Sequence, residues 1–522
     1  MIPLAALSGP LPKAGVVVAA GLVAITLLHP GSRARAWAML GALVLAPALL
    51  LADIWHSPQL SIVHRHPALA AALGALGLIL VAALAVLIWR RPGLLALLVL
   101  IALPFRIPIA AGGSTSNLLV PLYLVVGAGA LAFIVPALRG RDRPTVDGPA
   151  GNGLVEELPR AGWVERLLAL YVLLYAVQAI YSPDFEKALQ QIVFFYVPFA
   201  LLFCLLRRLR WTSALLRRCL LLIVGLTLLL AVVGFVEYAT KTLFLNPKLI
   251  AENNVHTYFA INSVFFDADI FGRFLALVMV LLAAVLLYSL RRRTQLAAVG
   301  ALAALWAALV LTLSRSSLGA LLVGLGVLGA MRWRAKPIVV LTVAVAVVGV
   351  VLVVVSPTTF GLNQGLNGAS SGRAGLVGGG ARLFADRPVW GYGSGSFQNE
   401  YHRIHPASSQ TLSASHTIPV TIAAEQGVIG ELAYLALVIA AGTVLVRGAR
   451  GDPARAAIAA AFLALVFHTL LYADFLEDPV TWTLLGIGTA LAFASRAGPA
   501  DQTLRSGREK PSIPATAPGT PA

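Results

Sequence analysis

"FGRFLALVMVLLAAVLLYSLRRRTQLAAVGALAALWAALVLTL", residues 271–313, holds two apolar runs hinged on three consecutive arginines, Arg291 to Arg293. Each run is about 20 residues long, enough to cross a ~30 Å hydrocarbon core as a helix rising 1.5 Å per residue. Working outward, such runs recur along nearly the whole chain, from about 14–28 to 479–495, and fifteen of them read as candidate spans. Among them are 93–110, 118–138, 188–206 and 417–446. A membrane β-barrel needs alternating strands of about 10 residues instead, and the sequence lacks that pattern. The expected fold is therefore all-α: a polytopic integral membrane helix bundle.

Composition agrees. Of 522 residues, 59% are hydrophobic and 12% charged, against roughly 25% charged in soluble domains. Mean hydropathy is +0.86. A net charge of +17 invites a nucleic-acid partner, but the basic residues sit in short clusters between apolar runs, where a membrane protein keeps its topology signals. No nucleic-acid partner is expected; membrane lipids are. Cys204 and Cys219 lie in or beside apolar segments without metal or disulfide spacing. Only Lys13 precedes the first weak apolar run, which does not read as a cleavable signal peptide.

Alternate loops differ sharply in charge. One set, including Arg33, Arg35, Arg90, Arg91, Arg207, Arg208 and Arg291 to Arg293, carries 26 Lys and Arg, and the other set 11. The first set should be cytoplasmic, which puts segments 237–270 and 357–416 outside. The expected division is 1–92 as extra N-terminal membrane helices, 93–496 as the principal membrane domain with its outer loop 357–416, and 497–522 as a Pro/Ala/Ser/Thr-rich disordered cytoplasmic tail. An outer loop of 357–416 exceeds the length at which loops are usually functional or disordered.

That loop carries the candidate chemistry. In "RLFADRPVWGYGSGSFQNEY", residues 382–401, Gly391, Gly393 and Gly395 permit positive φ or close backbone approach. Such a run either cradles phosphate on its N–H groups or is a plain surface turn. Arg315, in "TLSRSSLGAL", and Arg373, Arg382, Arg387 and Arg403 suit bidentate phosphate binding, with snorkelling or solvation as the plainer alternatives. His416 directly precedes a helix whose first turn holds Pro419. The positive end of that helix would favour neutral imidazole. His402 and His405 compete for the same role. Glu425 lies further along the helix, where a buried carboxylate is a functional candidate.

The ordered set "LSRSSL" (313–318), "SGR" (371–373), "DRPVWGYGSGSF" (386–397) and "SHT…EQGVIG" (415–430) resembles the O-antigen ligase and polymerase superfamily over roughly residues 270–450. That family ends a membrane helix with Ser-Arg, then carries arginine, P-x-x-G-x-G-x-x-x-F and histidine on a periplasmic loop before a Glu-x-Gly-x-x-Gly helix. Thr417 stands where the family commonly has asparagine, and Val377 where it usually has an aromatic residue. The last 12 spans, from residue 93 on, match the family's usual helix number.

The resemblance implies transfer of a glycan from a polyprenyl-pyrophosphate (undecaprenyl-type) carrier to an acceptor hydroxyl, lipid or glycan, on the outer face of the inner (plasma) membrane. It implies His416 as base and Arg315, Arg373, Arg387 and Arg273 as pyrophosphate ligands, with Glu425, Gly391 and Gly393 supporting. No metal and no cofactor is expected. Two rivals stand beside this reading. Asp267 and Asp269, in "DAD", suit a metal-dependent lipid-phosphosugar glycosyltransferase. A transporter or flippase is the other, though its ionisable residues belong at mid-membrane and its halves often repeat.

Overall fold

Prolines mark where the helices begin. An N1 proline sacrifices an N–H that has no intrahelical acceptor anyway, and one sits in the first turn at Pro10, Pro67, Pro121, Pro419, Pro453 and Pro479. The computed structural model describes residues 9–54, 65–111, 114–140, 161–244, 259–333, 335–355, 373–406 and 415–495. The expected tail 497–522 and much of 357–416 lie outside the described residues.

The chain forms a helical bundle. Its elements are α1 (Pro10–Leu28), α2 (Ser32–Ile54), α3 (Pro67–Arg90), α4 (Gly93–Ala102), α5 (Val120–Leu138), α6 (Trp163–Ala179) and α7 (Phe185–Arg207). Then follow α8 (Ser213–Thr240), α9 (Ala268–Tyr288), α10 (Arg292–Leu311), α11 (Arg315–Arg332) and α12 (Ala335–Val355). The last are α13 (Arg373–Asp386), α14 (Phe397–Ile404), α15 (Ile418–Val446), α16 (Pro453–Thr469) and α17 (Pro479–Ala494). Among the described residues, 9 helices are long and apolar enough to cross a membrane, so the chain is a multi-pass membrane protein.

One expected span is corrected. Residues 93–110 do not form one helix: α4 has 10 residues, about 15 Å and half a hydrocarbon core. Pro104 and Pro108 cannot continue it. The chain instead enters a hairpin, β1 (Ile107–Ala111) with β2 (Ser114–Leu118), antiparallel with Ile107 opposite Leu118. The described part of segment 357–416 is also more helical than its glycines suggest, since it contains α13 and α14.

Helix α7 shows how a proline is accommodated. Pro198 has no N–H for the Phe194 carbonyl four residues earlier, and the helix widens to a π turn at Ile192–Tyr196. The Tyr123 hydroxyl donates to that carbonyl at 2.9 Å, so the acceptor freed by the proline is met.

Helix α9 is the central post, buried over most of its length and packed on α10, α11 and α16. At one end, the Arg332 guanidinium donates to the Leu287 carbonyl and Arg450 to the Ala330 carbonyl. Those are the arginine-rich loops. At the other end lies the N-terminus of α9, some 30 Å away at 1.5 Å per residue. A reporter fused at 207–213 should therefore be cytoplasmic, and one fused within 357–416 extracytoplasmic. A cysteine-labelling assay that finds both on one side would reject this orientation.

Candidate active site

Three chain segments converge at the N-terminus of α9. Asp267 caps the helix, its Oδ1 accepting the Asp269 N–H at 2.6 Å. The buried Glu237 at the end of α8 holds the preceding loop by accepting the N–H groups of Asn262 and Ser263 at 3.2 and 2.7 Å. Ser314 caps α11 and donates to Asp269 Oδ1 at 2.5 Å, with Ser316 Oγ 3.3 Å from the same oxygen. Arg373, at the start of α13, donates through Nη2 to Asp269 Oδ2 at 2.9 Å and through Nη1 to the Leu471 carbonyl at 3.1 Å. One carboxylate thus ties together α9, α11 and α13.

The fourth wall is the loop after α16. Tyr472 donates its hydroxyl to Asp267 Oδ2 at 2.8 Å. Its ring lies 5.5 Å from the His416 ring, 5.7 Å from the His468 ring and 5.9 Å from the Arg373 guanidinium. His468 is fully buried, with Nε2 3.2 and 3.3 Å from the Ser316 and Ser317 hydroxyls. His416 is partly buried, and its Nδ1 is enclosed with no hydrogen-bond partner among the described residues. Burial lowers the His416 pKa from its ordinary 6.5, and the nearby Arg373 charge lowers it further. Desolvation and Arg373 both favour the neutral imidazole.

The backbone is strained around this point. Leu313, His416 and Asp474 all have left-handed φ, of 56°, 58° and 74°. Side-chain-bearing residues adopt that region at a cost of about 1–3 kcal/mol each, and such strain gathers at functional sites.

The other expected residues are placed differently. Arg315 is exposed at the first position of α11, beside the buried Ser314, Ser316 and Ser317. Arg273 is 2% exposed and forms an ion pair with Asp478 at 2.5 Å, while Nη1 reaches the Asp474 carbonyl at 3.3 Å. It braces the 470–478 loop rather than facing an open site. Arg387 is exposed 4.4 Å over the Tyr392 ring, at the end of α13 opposite Arg373 and about 20 Å from it along the helix. His405 stacks on Tyr401 at 4.6 Å.

The glycine run is a structural clamp, not a phosphate cradle. The N–H groups of Gly391, Gly393 and Gly395 donate to the Arg387 carbonyl, the Glu425 carbonyl and Glu425 Oε2 at 3.1, 2.7 and 2.8 Å. Glu425 also accepts the Phe397 N–H at 3.1 Å. Opposite them, α15 breaks at Gly427 (φ 65°, ψ −166°), and the Val428 N–H turns to the Pro388 carbonyl at 2.7 Å. Irregular backbone within a membrane helix survives only when protein satisfies it, and the loop does so here. A Cβ on Gly391 would sit 2.3 Å from the Glu425 carbonyl oxygen, whereas one on Gly378 meets nothing within 4 Å. Gly391→Ala should therefore cost at least about 2 kcal/mol through strain and overpacking. Gly378→Ala, in mid-helix, should be neutral or slightly stabilising. Thermal melts of the two purified variants check this, and equal melting would refute the clamp.

Residues 300–435 match the family model of the O-antigen ligases. Over that stretch the sequence is similar to the O-antigen ligases, which supports membership of their superfamily. No curated protein matches the chain. The ligase match covers Arg315, Arg373, Arg387, His416 and Glu425, while Asp269, His468 and Tyr472 lie outside it. The match supports ligase- or polymerase-like glycan transfer in general. Sequence reasoning named Asp269 only as a possible metal ligand and passed over His468 and Tyr472. His468, in "LVFHTLL", carried the one usable signal, an ionisable residue within an apolar run.

Proposed function

We propose that the chain transfers a glycan from a polyprenyl-pyrophosphate carrier to an acceptor hydroxyl at the extracytoplasmic face of the inner membrane. The observation that carries this is the juxtaposition of Arg373 and His416, both close to the Tyr472 ring, at the end of α9 away from the arginine-rich loops. The carrier's isoprenoid tail stays in the bilayer and its pyrophosphate enters at the headgroup level. Arg373, only half-buried through its pairing with Asp269, exchanges that carboxylate for phosphate oxygens. Arg315, exposed one residue from Ser314 and Ser316, supplies a second guanidinium.

In the step itself, His416 takes the proton from the acceptor hydroxyl. The acceptor oxygen bonds to the anomeric carbon as the bond from that carbon to the pyrophosphate oxygen breaks. Both bonding electrons leave with the carrier pyrophosphate, and the arginines offset its growing charge. Arg273 and Glu425 act through structure: one braces the Asp474 loop, the other anchors the glycine run. Residues 93–496 form the ligase-like domain, and 1–92 are an addition, with α1 packed on α6 and α2 on α5. The carboxylates of "DAD" are engaged by Tyr472 and Arg373, which supports an arginine-based site over a metal-based one.

The test is glycan transfer in vitro from a polyprenyl-pyrophosphate donor to lipid or glycan acceptors, with and without EDTA. Transfer that persists in EDTA supports the reading. Transfer abolished by EDTA and restored by a divalent cation returns the chemistry to Asp267 and Asp269.

A further inference from the structure

The opposite end of the bundle has its own charged cluster, unrelated to glycan transfer. Arg35 of α2 is 4% exposed, and its Nε donates to the His29 carbonyl. Arg207, at the end of α7, pairs with the buried Glu165 of α6 at 2.8 Å. Arg208 follows it, with a buried Nε that has no hydrogen-bond partner among the described residues. Arg35 lies within electrostatic range of both Arg207 and Arg208. Among the described residues, then, three guanidiniums share one carboxylate. Buried charge of one sign is unfavourable unless an anion completes it.

The space beside Arg208 shows what kind of anion fits. Its guanidinium lies 3.8 Å over the Phe133 ring, at a cleft lined by Ile88, Pro92, Leu95, Phe133, Leu205 and Leu209. Apart from Arg208 those walls are apolar, and they belong to α3, α4, α5 and α7. Trp37, Trp89 and Trp163, at the same end, are 62%, 45% and 67% exposed, as tryptophans at the headgroup level of a bilayer are. Arg33, Arg90, Arg91 and Arg139 add an exposed basic rim. A small apolar cleft with a guanidinium in its wall, at the tryptophan-bearing end of the bundle, matches an amphiphile with one anionic group.

We propose that this cleft binds an anionic phospholipid, with its phosphate on Arg208 and Arg35 and its first acyl methylenes on Ile88, Leu95 and Phe133. Guanidinium matches phosphate bidentately, and basic pockets between membrane helices hold acidic headgroups in this way. The bound lipid ties the N-terminal helices α2 and α3 to α5 and α7, giving residues 1–92 a fixed seat on the rest of the bundle.

The experiment is native mass spectrometry of the full-length chain, titrated in detergent with phosphatidylglycerol, phosphatidylcholine or inorganic phosphate. Phosphatidylglycerol should be retained at least about 10-fold more than phosphatidylcholine, the scale of one lost charge-assisted contact. Arg208→Gln should erase that preference, Arg208→Lys should keep part of it, and Arg90→Gln on the rim should leave it within about twofold. Should Arg208→Gln fail to fold, the parent's preference and the Lys variant still decide. Equal retention of both lipids by the parent overturns the proposal, and so does unchanged preference in a folded Arg208→Gln. Release of phosphatidylglycerol by millimolar inorganic phosphate would make it a free-anion site and also overturn it. So would a preference appearing only after Asp142, Asp147, Glu156 and Glu157 of the 141–160 linker are neutralised, since those carboxylates would then be the occupant.

Discussion

Arg373→Ala lowers glycan transfer by at least about 10²–10³-fold, the loss typical of removing one preorganised group that stabilises departing negative charge. The same change leaves insertion and thermal stability nearly untouched. The Arg373–Asp269 pair has side chains 36% and 19% exposed, and partly solvated pairs of this kind contribute little to stability, about 0–1 kcal/mol. Asp269 also keeps its hydrogen bond from Ser314 when Arg373 is gone. A large kinetic effect beside a small stability effect separates a ligand of the reacting group from a structural tie. Arg373→Lys should recover only a minor part of the rate, because an ammonium cannot hold two phosphate oxygens in the plane of a fork. Arg315→Ala and Arg315→Lys should follow the same order. Arg273→Ala should behave in the opposite manner, stranding the buried Asp478 and destabilising the protein by about 3–5 kcal/mol. The measurements are initial rates at saturating donor, paired with melting curves. Parental rates in both lysine variants would remove the arginines from the pyrophosphate site.

The helical bundle was legible in the sequence because lipid imposes a strict rule: backbone polar groups must be satisfied within the segment. Apolar runs of spanning length, separated by arginines, leave little else to build. That rule says nothing about short segments, which is why 93–110 was misread. Pro104 and Pro108 ended the helix after 10 residues, and a hairpin satisfied the backbone instead. Segment 357–416 was legible as a glycine- and arginine-bearing stretch between apolar runs, but not as a geometry. Its glycines marked close approach correctly, yet the partner was the broken turn of α15 and not a phosphate. Glu425 was singled out as a buried membrane carboxylate, and its two backbone donors, Gly395 and Phe397, explain the burial. Asp269 was read only as a metal-ligand candidate, and Tyr472 was not singled out at all, for a different reason. Their partners lie 45 to 205 residues away in the chain, and hydrophobic periodicity carries no information about which loop ends meet.

His416→Ala is expected to lower transfer by about 10²–10⁴-fold, the contribution general-base catalysis typically makes, with donor binding unchanged. The structure supplies the motive in three parts. The ring packs against Tyr472, the same side chain that Arg373 approaches. Its Nδ1 is enclosed without a partner among the described residues, and its backbone is held in the left-handed region at φ 58°. Burial and the Arg373 charge hold its pKa below 6.5. The neutral imidazole is the base, so activity persists as pH falls to 6.5 and declines only below it, as the ring protonates. An unperturbed histidine would already be half protonated there. His402→Ala and His405→Ala should keep most of the parental rate, since His405 stacks on Tyr401 and His402 lies edge-on to the same ring. His468→Ala is the informative fourth variant. Its Nε2 contacts two buried serines beside Asp269, so its loss should reduce both stability and rate without moving the acid limb of the pH profile. Rates for the four variants across pH 4–8 decide among the histidines. If His416→Ala keeps the parental rate and acid limb while His468→Ala loses both, the base is His468 and the proton leaves through the serine cluster.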